Sequence, residues 1–126
     1  MNEEEILNIG TRIGIQLHNE RVKSSQVNKL LEIIESEKDP KIAITLLGIY
    51  VQKQRERGYI RDRAAREITG SLLKILNSDD INKDLIRKIL GIAKWVYESV
   101  GSGDESRPRV NVQDPQSLLK YFAGVR

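Results

Sequence analysis

Aliphatic residues recur every three or four positions along most of this chain, and this spacing constrains its fold more than any other feature. In the first segment, about Glu3 to Glu20, the aliphatic residues Ile6, Ile9, Ile13 and Leu17 make one apolar stripe. This is the period of an amphipathic α-helix, which buries one face and leaves the other in water. The spacing therefore predicts a protein built from helices.

Residues that start and stop helices divide the chain into further segments. Ser24 or Ser25 is the predicted N-cap of segment two, and Asp39 followed by Pro40 is a strong start for segment three. Gly58 is the predicted stop of segment three, since glycine accepts the left-handed conformation after a helix C-terminus. Segment three has the most evenly distributed apolar residues, so we expect it to be the central helix of the bundle.

Two more helices complete the predicted bundle. Segment four runs from about Tyr59 to Leu76, and segment five runs from a cap at Ser78 or Asp79 to about Val100. Five helices with short turns predict an all-α, single-domain bundle over residues 1–100.

The composition changes after residue 100. Residues 101–114 are rich in Gly, Ser, Pro and charged side chains, which is typical of a linker or a flexible tail. A second cap-then-proline signal, Asp114 followed by Pro115, precedes a predicted short amphipathic helix in residues 115–126. This helix either folds back onto its own bundle or docks on a partner. Its apolar face, the predicted partner-binding surface, consists of Leu118, Leu119 and Phe122.

The sequence offers little for catalysis. It has no cysteine. Its only histidine, His18, is expected either to lie on the surface or to complement the helix dipole at the end of the first helix. Asp79 and Asp80 are expected to cap segment five and not to bind a metal. We therefore expect no enzyme, no cofactor, no metal site and no small-molecule substrate. The absence of a long apolar run and of a signal peptide predicts a cytoplasmic protein that does not contact membranes.

A run of basic residues is the most informative functional feature. Residues 41–100 carry 12 Lys and Arg against 7 Asp and Glu, a net charge of +5, whereas the whole chain has +3. On a helical wheel, Arg63 and Arg66 lie on the outer face of segment four, whereas Arg61 lies on the apolar side. Asp62 is placed to form an ion pair with Arg66. Six cations make up the run: Lys53, Arg55, Arg57, Arg61, Arg63 and Arg66.

Segment five carries a second basic stripe, formed by Lys83, Arg87 and Lys94 opposite its apolar seam. If the stripes of segments four and five lie side by side, they make a groove that suits a phosphate backbone. An acidic protein partner or an ordinary solvated surface would explain the same charges. The predicted nucleic-acid-binding residues are Lys53, Arg55, Arg57, Arg63, Arg66, Lys83, Arg87 and Lys94.

Three stretches resemble the small helical subunits of type III CRISPR effector complexes, most closely the type III-A family. They are KSSQVNKLLEII, with Ser24 and Gln26, LLGIYVQKQRERG, with Tyr50 and Arg55, and IAKWVYESV, with Trp95. Asn28 stands where that family usually has Arg, so the small subunits of type III-B and type I-A complexes stay open. The resemblance implies a non-catalytic subunit, several copies of which stack along the guide RNA and its target and bind the RNA backbone without sequence preference.

These observations together predict an RNA-binding structural subunit of a CRISPR ribonucleoprotein. Its expected partners are guide or target RNA, other subunits of the complex and further copies of itself in a head-to-tail stack. One alternative is a helical adaptor that docks on a partner through its C-terminal helix. Another is a small DNA-binding protein that uses the turn at Gly58 in a helix-turn-helix.

Overall fold

A computed structural model describes residues 1–124 and confirms the predicted fold class: a single all-α bundle with a short last helix. The described residues form six helices and no strand. The helices are α1 (Glu3–Asn19), α2 (Ser24–Glu35), α3 (Pro40–Glu56), α4 (Asp62–Leu76), α5 (Lys83–Val100) and α6 (Pro115–Phe122).

Side chains cap the N-termini of several helices. Asp39 accepts hydrogen bonds from the first turn of α3, and Asp114 accepts one from Ser117 N in α6 at 2.9 Å. Each aspartate is followed by a proline at the first helical position, where a backbone N–H would have no partner within the helix. Both predicted starts are therefore confirmed. Gly58, with φ of 78°, ends α3 in the left-handed conformation, as predicted.

Three predicted helix starts were wrong. Helix α2 begins at Ser24 with Lys23 as an N-cap that makes no side-chain hydrogen bond. Helix α4 begins at Asp62 and not near Tyr59, because the chain needs several non-helical residues to turn after Gly58. Helix α5 is capped by Asn82, whose side chain accepts from Leu85 N at 2.9 Å, so the predicted cap at residues 78 and 79 lies too early.

The central helix is α1, and the prediction that segment three is central was wrong. Helix α1 packs against α4, α5 and α6, whereas α3 leaves Ile42, Leu46 and Ile49 on the surface. Two glycines explain the close fit of α1 to α5. Gly10 lies against Ile92 and Gly14 lies against Val96, so the two helices run side by side in the same direction. A side chain at either glycine would overlap α5.

The segment after α5 is hydrogen-bonded to the C-terminal end of α1. The ring of His18 is completely buried and lies 2.8 Å from the Pro108 carbonyl oxygen through Nε2. Its Nδ1 accepts a hydrogen bond from Gly103 N at 3.1 Å. Asn19 donates to and accepts from the Val110 backbone, both at 2.8 Å. The expectation of a surface histidine was therefore wrong, because residues 101–110 cover it.

Helix α6 folds back onto the bundle through one side chain. Leu118 is buried in a small apolar cluster with Ile15, Val96, Val100 and Val110. Leu119 and Phe122 of the same helix are exposed. Within residues 1–124, no helix is both long enough and apolar enough to cross a membrane.

Candidate nucleic-acid interface

The basic run lies at the junction between α3 and α4. The turn after α3 is closed by two backbone hydrogen bonds, from Gly58 N to the Arg55 carbonyl oxygen and from Tyr59 N to the Gln54 carbonyl oxygen. This pattern is a Schellman motif, which reverses the chain immediately after the helix. The cations at the end of α3 and those at the start of α4 therefore lie next to each other in space.

One of these cations is neutralised by a neighbour. Arg55 Nε donates to Asp62 Oδ1 at 2.8 Å, and the arginine is half-buried. The predicted pair between Asp62 and Arg66 was wrong, because the turn at Gly58 brings Asp62 back towards the end of α3. Arg55 therefore contributes less positive field than the sequence suggests.

The other cations of the run are exposed. Arg61 is also exposed, because it is the N-cap of α4 with an extended backbone, so the expectation that it lies on the apolar side was wrong. Within residues 1–124, no carboxylate lies within ion-pair distance of any of these exposed cations. We call them the junction surface: Lys53, Arg57, Arg61, Arg63 and Arg66.

The basic stripe of α5 is less available. Arg87 binds the carboxylate of Glu35 through Nε and Nη2, and its Nη1 donates to Asp84 Oδ1 at 2.9 Å. The hydrogen bonds from Arg87 lower the pKa of Glu35, and those to Glu35 raise the pKa of Arg87. Lys83 and Lys94 are half-buried. A phosphate would have to compete with two carboxylates for Arg87.

The basic stripes of α4 and α5 do not lie side by side, so they do not form the groove that the sequence led us to consider. Helix α4 packs against α3 and α1, whereas α5 packs against α1 and α2. Because α1 lies between α4 and α5, their outer faces are not neighbours. Among residues 1–124, the junction surface is therefore the one of the two stripes that keeps all of its cations exposed.

The structure adds cations that the sequence did not indicate. The turn from α1 to α2 places Arg21 and Lys23 beside Tyr59 and Arg61 around a cavity of about 300 Å³. We call this cavity the turn pocket. Its lining residues are Glu20, Arg21, Lys23, Ser25, Gln26, Gly58, Tyr59, Arg61 and Glu105.

Arg21 has an unusual backbone. Its φ is 60°, in the left-handed region that is unfavourable for residues other than glycine. Its Nη1 donates to the carbonyl oxygens of Asp104 and Arg107 at 2.7 and 2.8 Å, which holds this conformation. Arg21 follows the C-cap of α1, and Gly58 holds the same position after α3. An arginine at a position where glycine is usual is the sequence signal that could have indicated this turn.

A second, smaller hollow adjoins the turn pocket. Arg63 and Arg109 line it together with polar side chains of α1 and of residues 110–113. Glu20 lies between the two cavities and accepts a hydrogen bond from Arg63 N at 3.1 Å, which caps the start of α4. Cations from three separate parts of the chain therefore surround the end of α1.

Exposed apolar side chains lie elsewhere on the molecule. Trp95 of α5 is 76% exposed, and Ile49 of α3 is 62% exposed. Leu119, Tyr121 and Phe122 are exposed on α6, whereas Leu118 faces the core. The predicted partner-binding residues are therefore divided between the inside and the outside of the bundle.

Within residues 1–124, no group of three or more His, Asp or Glu side chains is arranged to hold a metal ion. Asp80 Oδ2 instead accepts a hydrogen bond from the Met1 amino group at 2.8 Å, and this bond raises the pKa of the amine.

Comparisons of the chain with known protein families, curated proteins and solved structures found no match.

Proposed function

We propose that this protein is a non-catalytic RNA-binding subunit that contacts the RNA backbone through the junction surface. The observation that carries the proposal is the grouping of five exposed cations at one helix junction, with no carboxylate in ion-pair distance among the described residues. Phosphate groups supply most of the affinity when such a surface meets a nucleic acid.

The chemistry of the surface favours backbone contact over sequence recognition. Arginine and lysine dominate it, and Tyr59 is the aromatic residue that lines the adjoining turn pocket. Contacts to phosphates position a protein on RNA but do not distinguish one base from another. This agrees with the resemblance of the chain to small CRISPR subunits, for which backbone binding without sequence preference is expected. The proposed partner is accordingly guide or target RNA within a ribonucleoprotein.

Charge reversal on α4 tests the proposal. Arg63→Glu with Arg66→Glu should weaken binding to single-stranded RNA at low salt, measured by fluorescence anisotropy. Each phosphate contact contributes about 0.7 to the slope of log K against log salt for a single strand. Loss of two contacts should therefore reduce that slope by about 1.4.

A matched control is available at the other end of α3. Lys38→Glu with Lys41→Glu changes the net charge by the same amount, and both lysines are exposed. They lie about 25 Å from the junction along the helix axis, at 1.5 Å per residue. The control should keep most of the affinity. Equal losses in the two double variants, or no binding by the unaltered protein, would contradict the proposal.

The exposed apolar residues favour a second candidate function, assembly with another protein. Leu119 and Phe122 of α6 are exposed and lie outside the buried core, so their replacement should leave the core intact. Leu119→Ser with Phe122→Ser should abolish self-association in sedimentation velocity if α6 is an adaptor. If the sedimentation profile is unchanged and RNA binding is intact, assembly through α6 is excluded and RNA binding is the candidate function that remains.

A further inference from the structure

The turn pocket has the size and lining of a site for one small polar ligand. Its volume of about 300 Å³ is at the lower end of the range for ligand sites, which is about 300–1,000 Å³. Residues from the α1–α2 turn, the start of α2 and the α3–α4 junction form its walls. The pocket is therefore built by parts of the chain that are far apart in sequence.

The walls of the pocket favour a phosphate group. Arg21, Lys23 and Arg61 supply three cationic side chains, against the carboxylates of Glu20 and Glu105. Glu20 uses one carboxylate oxygen to cap α4. The N-cap of α2 is Lys23, which makes no side-chain capping bond. The N-terminus of α2 thus adds partial positive charge beside the cations.

An aromatic ring completes the pocket. Tyr59 lines it and is 47% exposed. The guanidinium carbon of Arg57 lies 4.9 Å from the centre of the tyrosine ring, so one face of the ring has a cation over it. Because about half of the side chain is exposed in the pocket, the ring can stack against a planar group of a ligand. Arginine and aromatic rings are the usual partners of unstacked bases in single-stranded RNA.

A hydrogen-bonded amide lies beside the ring. Gln26 Oε1 accepts from the Tyr50 hydroxyl and from Gln54 Nε2 at 2.8 Å, which fixes the orientation of the Gln26 side chain. Gln26 Nε2 donates no hydrogen bond within the described chain, and Gln26 lines the pocket. This amide can donate to a carbonyl oxygen on the edge of a base.

We propose that the turn pocket binds one nucleotide of the RNA strand, with its phosphate at Lys23 and Arg61 and its base stacked on Tyr59. This inference rests on the proposed function, because it places the strand that the junction surface binds. The strand then turns one base out of its stack at the pocket and continues over Arg63 and Arg66.

Two strands of equal length test the site: a single-stranded RNA and the same strand with abasic residues. Tyr59→Ala should weaken binding of the RNA about five- to tenfold, the lower end expected for loss of one stacked base. It should leave the affinity for the abasic strand unchanged. Tyr121→Ala is the matched control, since Tyr121 is 44% exposed on α6 and does not line the pocket.

Substitutions of the charged residues give a second, independent readout. Lys23→Gln should weaken binding of both strands, and Glu105→Gln should strengthen binding of both, because the phosphate is present in each. Both side chains lie at the protein surface, and circular dichroism will show whether the helices are retained.

The outcomes separate the two proposals. If the unaltered protein binds neither strand, the proposed function fails. If it binds both strands and Tyr59→Ala weakens them equally or not at all, only the nucleotide pocket is overturned. A loss confined to the strand that carries bases, with Tyr121→Ala unchanged, supports the pocket.

Discussion

Replacing Gly14 by alanine should destabilise the protein, because this glycine lies at the contact between α1 and α5. A Cβ at this position would lie 2.5 Å from the Ala93 carbonyl oxygen and 2.7 Å from Val96 Cβ. Neither atom belongs to the end of a flexible side chain, so the two helices would have to separate. Overpacking of this kind costs about 3 kcal/mol at the upper end of the usual range.

The alanine also brings a gain that offsets part of this cost. Alanine favours a helix over glycine by about 1 kcal/mol. The net effect of Gly14→Ala should therefore be a loss of about 2 kcal/mol, which corresponds to a fall in Tm of about 8 °C for a chain of this size. Urea unfolding followed by circular dichroism measures the free energy directly.

Gly70 is the matched control. It lies inside α4, is exposed, and a Cβ placed there would meet nothing within 4 Å. Gly70→Ala should therefore stabilise the protein by about 0.5–1 kcal/mol through helix propensity and the loss of freedom in the unfolded chain. A Gly14→Ala protein as stable as the unaltered one, or a shift of both substitutions in the same direction, would contradict this prediction.

Two further predictions concern residues 101–122. Asn19→Ala removes both hydrogen bonds to the Val110 backbone. Amide hydrogen exchange should therefore accelerate between residues 103 and 118, while α3 and α4 keep their protection. Equal acceleration in all helices would show that this segment does not open separately. Hydrogen bonds from the Ser106 and Ser117 N–H groups lower the pKa values of Asp104 and Asp114 below the ordinary value of 3.8. The two ionised carboxylates stabilise this segment above that value, and the effect is lost as the pH falls through the lowered pKa values. Proteolysis in this segment should therefore increase only at strongly acidic pH. An increase that begins at neutral pH would point to another group.

Local signals in the sequence predicted the features that depend on neighbouring residues. The start of α3 at Pro40, its stop at Gly58 and the start of α6 at Pro115 follow from hydrogen bonds that span a few residues. The close approach of a second helix at Gly10 and Gly14 was also predictable, since two glycines four positions apart expose one strip of backbone. The partner helix could not be identified in this way.

Features that depend on distant residues were missed. His18 is buried because Gly103 and Pro108, 85 and 90 positions away, hydrogen-bond to its ring. Arg87 has a partner 52 positions away in Glu35, so a wheel of α5 alone shows it as an unpaired cation. The turn pocket needs three separated segments to meet, and no window along the chain contains them together.

The most direct test of the account is an NMR titration of the labelled protein with a short single-stranded RNA at low salt. We expect the largest amide shift changes at residues 57–66 and 20–26, where the junction surface and the turn pocket lie. The changes should diminish as salt is added, since released counterions drive the binding. Largest changes along residues 83–94 or 115–122, or no change at low salt, would contradict the account.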